Sequence, residues 1–110
     1  MGLRVFVLGL MLLTAGPLLA AKQTVQVTPL AASVVAPRNA SLLWQEGDKL
    51  RFGYFAFESP YLGPCLNLFR LALANGDELT VERNDEADEG IYPVWSVAYR
   101  GARCDSAGLN

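Results

Sequence analysis

Histidine is absent from this 110-residue chain. Its absence excludes Ser-His-Asp and Cys-His catalysis and every His-ligated metal site. Cysteine is scarce, with only Cys65 and Cys104. They form no CxxC pair, and no imidazole is present to activate a thiolate, so a catalytic or redox thiol is not expected. Basic charge is also thin. Nine Lys and Arg face eleven Asp and Glu, a formal net charge of −2. A nucleic-acid binder needs a basic face, and this balance offers none. Both methionines, Met1 and Met11, fall near the start. Beyond residue 21 no apolar run approaches the ~20 residues of a bilayer span, so no membrane span is expected there.

What is present begins with a leader-like segment. Residues 1–21 carry Arg4 as their only charge, then the apolar run Val5–Leu13, then Gly16-Pro17 and the small pair Ala20-Ala21. That order is the order of a secretory signal peptide. The short, lightly charged form points to a bacterial envelope, hence a periplasmic or secreted protein. In an oxidising compartment Cys65 and Cys104 are expected to pair with each other.

Residues 22–110 read as one small domain. The apolar stretches are short and the punctuation dense, which favours strands. Lys22–Thr28 alternates and is expected to end at Pro29. Ala32–Ala36 is a second short run, closed by Pro37. Together they read as an ordinary first strand of the domain, with an exchangeable edge segment that pairs with a partner by strand addition as the alternative. Asn39–Glu46 places Ala40, Leu42 and Trp44 on one face. Gly47-Asp48 marks a turn into Lys49–Phe57, the strongest strand, with Leu50, Phe52, Tyr54 and Ala56 expected inward. Cys65–Ala74 and Glu78–Arg83 read as a hairpin about Asn75-Gly76-Asp77, with a helix over Leu66–Ala74 as the competing assignment. Ile91–Arg100 is a last strand.

The expected fold is all-β: a small antiparallel sandwich or barrel of six to seven short strands with one disulfide. Its core is expected to draw on Leu42, Trp44, Phe52, Tyr54, Phe69, Leu71, Val81, Trp95, Val97 and Tyr99.

Three constellations are candidate sites. Ser59–Pro64 is bracketed by prolines and anchored at Cys65. It would project Tyr61 and Leu62 as the preorganised loop of a hydrolase inhibitor. Phe55, Phe57 and Tyr92 point opposite the expected core faces and would form an outer aromatic surface for a protein or carbohydrate. Asp85, Glu86, Asp88 and Glu89 crowd one loop. They are weak candidates for a cation, because Ala87 breaks the ligand order of a calcium loop. No catalytic residue, metal or other cofactor is expected. The function expected first is an exported, non-enzymatic protein that contacts another envelope or secreted protein, for instance in surface-appendage assembly. The alternatives are an inhibitor of a hydrolase such as a lysozyme or protease, and a carbohydrate or small-ligand module.

Overall fold

A computed structural model describes residues 21–34, 40–58 and 61–109. The leader expected over 1–21 therefore lies outside the described residues, apart from Ala21. The elements are β1 (Lys22–Ser33), β2 (Ser41–Glu46), β3 (Lys49–Phe55), α1 (Leu62–Asn75), β4 (Leu79–Asn84), β5 (Ile91–Tyr99), β6 (Ala102–Asp105) and β7 (Gly108–Leu109). The strands form one sheet in the order β3-β2-β1-β4-β5-β6-β7. A further parallel pairing joins β3 to β5, through Phe52–Ile91 to Phe55–Val94, and closes the first five strands into a barrel. All other pairings are antiparallel. A five-stranded Greek-key barrel with a helix between its third and fourth strands is the arrangement of the OB-fold. That fold hosts many unrelated functions and by itself assigns none.

Closure depends on β1. Its first half, Lys22 to Val27, pairs with β4, and its second half, Thr28 to Ser33, pairs with β2. The register slips between Pro29 and Ala31, where the strand passes from one neighbour to the other. A proline lacks an N–H to donate, so a bulge is a place where a strand tolerates one. Pro29 thus bends β1 rather than ending it. Each half of β1 is paired to one neighbour, and the two halves together link β2 to β4.

The segment expected as the first arm of a hairpin is helix α1. Cys65, Leu66, Leu68, Phe69 and Ala72 are buried, an i, i+3, i+4, i+7 stripe that seals one end of the barrel. Pro64 sits in the first turn, where its missing N–H costs nothing. Gly76 stops the helix with φ 67°. Its N–H donates to the carbonyl of Leu73, and that of Asp77 to the carbonyl of Ala72. These two bonds form a Schellman stop. Asn-Gly therefore ends a helix here instead of turning a hairpin, and β4 finds its partners in β1 and β5.

The disulfide Cys65–Cys104 ties the first turn of α1 to β6, across 39 residues of sequence. The core contains Leu42, Trp44, Phe69, Val81, Val97 and Tyr99, as expected, together with Val27, Phe55, Leu66, Leu79 and Val94. Tyr54 and Trp95 are half-buried. Phe52 and Leu71 are exposed, which corrects the expected core at both positions. Leu71 faces out because its segment is a helix with only one buried stripe. Phe52 faces out because β3 is turned over relative to expectation. Gly53 and Phe55 point inward, and an added Cβ at Gly53 would meet the six-membered ring of Trp44 at 2.4 and 2.5 Å. The indole needs a residue without a side chain beside it, and that need fixes which face of β3 is inside. No helix among the described residues is long and apolar enough to cross a membrane, a statement that does not bear on strands.

Candidate functional site

Turning β3 over places its apolar stripe on the outside of the barrel. Leu50 is 58% exposed and Phe52 is 50% exposed. Phe52 lies opposite Leu43 of β2 on one side and Ile91 of β5 on the other, and Leu43 in turn lies opposite Ala31 of β1. Residues in register share a face. Ala31, Leu43, Phe52 and Ile91 thus make an apolar row across four strands of the barrel's outer surface. Ala31 and Phe52 are exposed in this row, and Leu43 and Ile91 are half-buried. Beside the row is a groove of about 410 Å³, lined by Ala40, Ser41, Phe52, Gly53, Tyr54, Glu89, Gly90 and Ile91.

The acidic loop forms one wall of that groove. Asp85, Glu86, Asp88 and Glu89 are all exposed. The Asp88 N–H donates to the Ile91 carbonyl at 2.8 Å, and the Ile91 N–H donates back to Asp88 at 3.1 Å. Between them Glu89 and Gly90 both take positive φ, 54° and 82°. This is a tight two-residue turn of the type that matches strand twist. At the loop's start the Asp85 N–H donates to the Ala21 carbonyl at 2.7 Å. These bonds fix the loop's backbone, and its carboxylates are exposed. They do not converge: no group of three or more acidic or cysteine side chains among the described residues is placed to hold a metal ion.

The other expected sites are arranged differently from the sequence expectation. Phe55 is fully buried, while Phe57 and Tyr92 are half-buried against the core. Phe55 and Phe57 pack 5.6 Å apart and Tyr92 lies 6.5 Å from Trp44. The three do not form an outer face, because the inversion of β3 that exposes Phe52 takes Phe55 inside. Tyr61 and Leu62 are not the tip of an extended loop. Tyr61 carries the carbonyl that accepts from the Cys65 N–H in the first turn of α1, and its ring lies against Gly108 of β7. Leu62 is half-buried against the core. Pro60 and Ser59 lie outside the described residues.

A charged cluster that the sequence did not single out closes the barrel end opposite α1. Arg83 is only 3% exposed. Its Nε donates to Glu46 Oε1 at 3.0 Å, its second terminal nitrogen bonds Glu46 Oε2, and a third bond runs to the Asn84 carbonyl at 2.7 Å. Trp44 Nε1 also donates to Glu46, at 3.1 Å. The Arg83 hydrogen bonds hold the Glu46 carboxyl below its usual 4.5, against the opposing pull of burial. Two guanidiniums lie over the ring of Tyr92, Arg83 at 4.4 Å and Arg51 at 5.2 Å from its centre. Arg51 Nε is buried without a hydrogen-bond partner. Every partner in this cluster comes from β2, β3, β4 or β5, so it binds the mouth of the barrel together. The alternation of Arg51 with Gly53 on β3 was the available signal, since a glycine within a strand marks close backbone or ring approach.

The chain matches no family model, no curated protein and no solved structure.

Proposed function

We propose that this is an exported, non-enzymatic protein of the bacterial envelope, periplasmic or secreted, that acts by contact with another protein through the outer face of β2 and β3. The observation that carries the proposal is the paired exposure of Leu50 and Phe52 on that face. Both are large apolar side chains, and in register with Phe52 stand Leu43 and Ile91 rather than charges. Protein interfaces have such centres, apolar and aromatic with few charges, inside a polar rim. The disulfide fits an oxidising compartment.

A photo-crosslinking amino acid placed at Phe52, and separately at Arg100 in the β5–β6 turn, tests this in the source cells. The expected result is a discrete crosslinked protein from position 52 and none from position 100. Mass spectrometry then maps the attachment. Absence of a crosslink at 52, or equal labelling from both positions, overturns the proposal.

A further inference from the structure

We infer that the groove between β3 and the acidic loop takes an extended basic segment of the partner, with apolar and cationic side chains side by side. This rests on the protein-contact reading above and adds to it the chemistry of the occupant.

Charge complementarity makes the assignment. The groove has an apolar floor of Phe52, Tyr54 and Ile91, and Glu89 stands in its wall. Glu86 and Asp88 follow along the same exposed loop. The ion pairs among the described residues are Arg83–Glu46, Arg100–Asp77, Arg103–Glu82 and Arg103–Asp105, and none of them reaches this loop. The nearby basic residues of β3 do not neutralise it either. Arg51 lies over Tyr92, and Lys49, exposed at the start of β3, makes no ion pair with this loop among the described residues. An anionic ligand would be repelled by these carboxylates. A cation on the occupant would gain both a carboxylate and an aromatic face, since guanidinium and ammonium groups are attracted to exposed rings.

Contact there is made by side chains alone. β3 is paired to β2 and β5, so its backbone offers no edge for strand addition. The Asp88–Ile91 bonds hold the loop's backbone in its turn, so the ordering left to this side of the interface is that of its side chains.

Three fluorescein-labelled synthetic octapeptides test the inference: one alternating Arg and Leu, one alternating Arg and Ser, and one alternating Glu and Leu. Each is titrated into the oxidised protein and followed by anisotropy. The Arg–Leu peptide is expected to bind saturably and at least about tenfold more tightly than the other two. Glu86→Gln, Asp88→Asn and Glu89→Gln combined should weaken it about tenfold, and Phe52→Ser should do so independently. Asp85 is left intact because its charge acts on Arg83. Equal binding of the Arg–Ser peptide, or indifference to Phe52→Ser, would reveal surface charge only and overturn the inference. Equal binding of the Glu–Leu peptide overturns it as well. If no peptide binds while position 52 still crosslinks to a protein, the basic-segment inference falls and the protein-contact proposal stands. Failure of both measurements removes both.

Discussion

The indole of Trp44 occupies the space that a side chain at Gly53 would fill. Two of its ring atoms lie 2.4 and 2.5 Å from the position of an added Cβ. Both residues face the inside of a narrow five-stranded barrel, where one large ring is accommodated by removing the side chain beside it. Gly53→Ala is therefore expected to destabilise the fold by about 1–3 kcal/mol through overpacking. Trp44→Leu alone should also be costly, through the cavity it leaves. The double variant should be more stable than the sum of the two losses implies, because each change relieves the other. A double-mutant cycle by urea denaturation measures that coupling. Strict additivity would show that the two positions do not share this volume.

The same contact explains how much of the fold was legible in the sequence. Alternation over Lys49–Phe57 identifies strand β3, which ends at Phe55, yet gives its faces inverted. Leu50, Phe52 and Tyr54 make the more apolar stripe, and by pattern alone that stripe belongs inside. What overrode it was a tertiary fit between Trp44 and Gly53, which periodicity cannot express. The candidate site was misplaced for the same reason. Periodicity places Phe52 in the core and Phe55 on the surface, the reverse of their positions in the fold. The acidic loop was seen, but not that Glu89 would stand beside Phe52, since β5 reaches β3 only through the parallel pairing that closes the barrel. The disulfide partners followed from count and compartment, and the all-β class from the density of short strands.

Helix α1 realises the competing assignment over Leu66–Ala74, and an ambiguity in one dipeptide is what favours the hairpin by sequence. Asn75-Gly76 serves a type I′ hairpin and a helix stop equally well, because both need a left-handed glycine. Gly76 has φ 67° and no atom close enough to meet a Cβ. Gly76→Ala should then cost about 1 kcal/mol from backbone strain alone, without any steric clash. Thermal unfolding measures the loss, and circular dichroism should show the helix content of the folded state unchanged. A loss of several kcal/mol would mean that Gly76 does more than terminate the helix.

The disulfide supplies a separate prediction. Closing a loop of 39 residues' separation restricts the unfolded chain by about 4 kcal/mol in the chain-entropy account. That is a large share of the stability of a small domain. Cys65→Ser with Cys104→Ser, or reduction of the native protein, should lower the unfolding free energy by a matching amount, read as a fall in the urea midpoint. If α1 packs independently of the bond, the reduced form keeps its helix at low denaturant.

Glu46 and Arg83 are expected to contribute to the acid limit of the fold. The Arg83 hydrogen bonds depress the folded-state carboxyl of Glu46 below its usual 4.5. A depressed carboxyl contributes stability that is fully present above its unfolded value and is lost as the pH falls through the folded one. Stability should hold above about pH 5 and decline on acidification below 4.5, as protonation of Glu46 leaves Arg83 buried without its counter-charge. Glu46→Ala should impose a similar loss at neutral pH, about 3–5 kcal/mol, since an unpaired buried guanidinium is strongly unfavourable. It should also flatten the acid limb of the pH profile. Replacing both partners, Glu46→Leu with Arg83→Met, should recover most of that stability, because an apolar pair of similar volume avoids the desolvation of two charges. Urea denaturation of the three proteins at pH 7 and pH 3.5 separates the outcomes. An acid limb that stays unchanged in Glu46→Ala would assign the low-pH loss to other carboxylates. Asp77, held down chiefly by the Tyr99 hydroxyl, and Asp105, held down by the Ala107 N–H, would be the next to test.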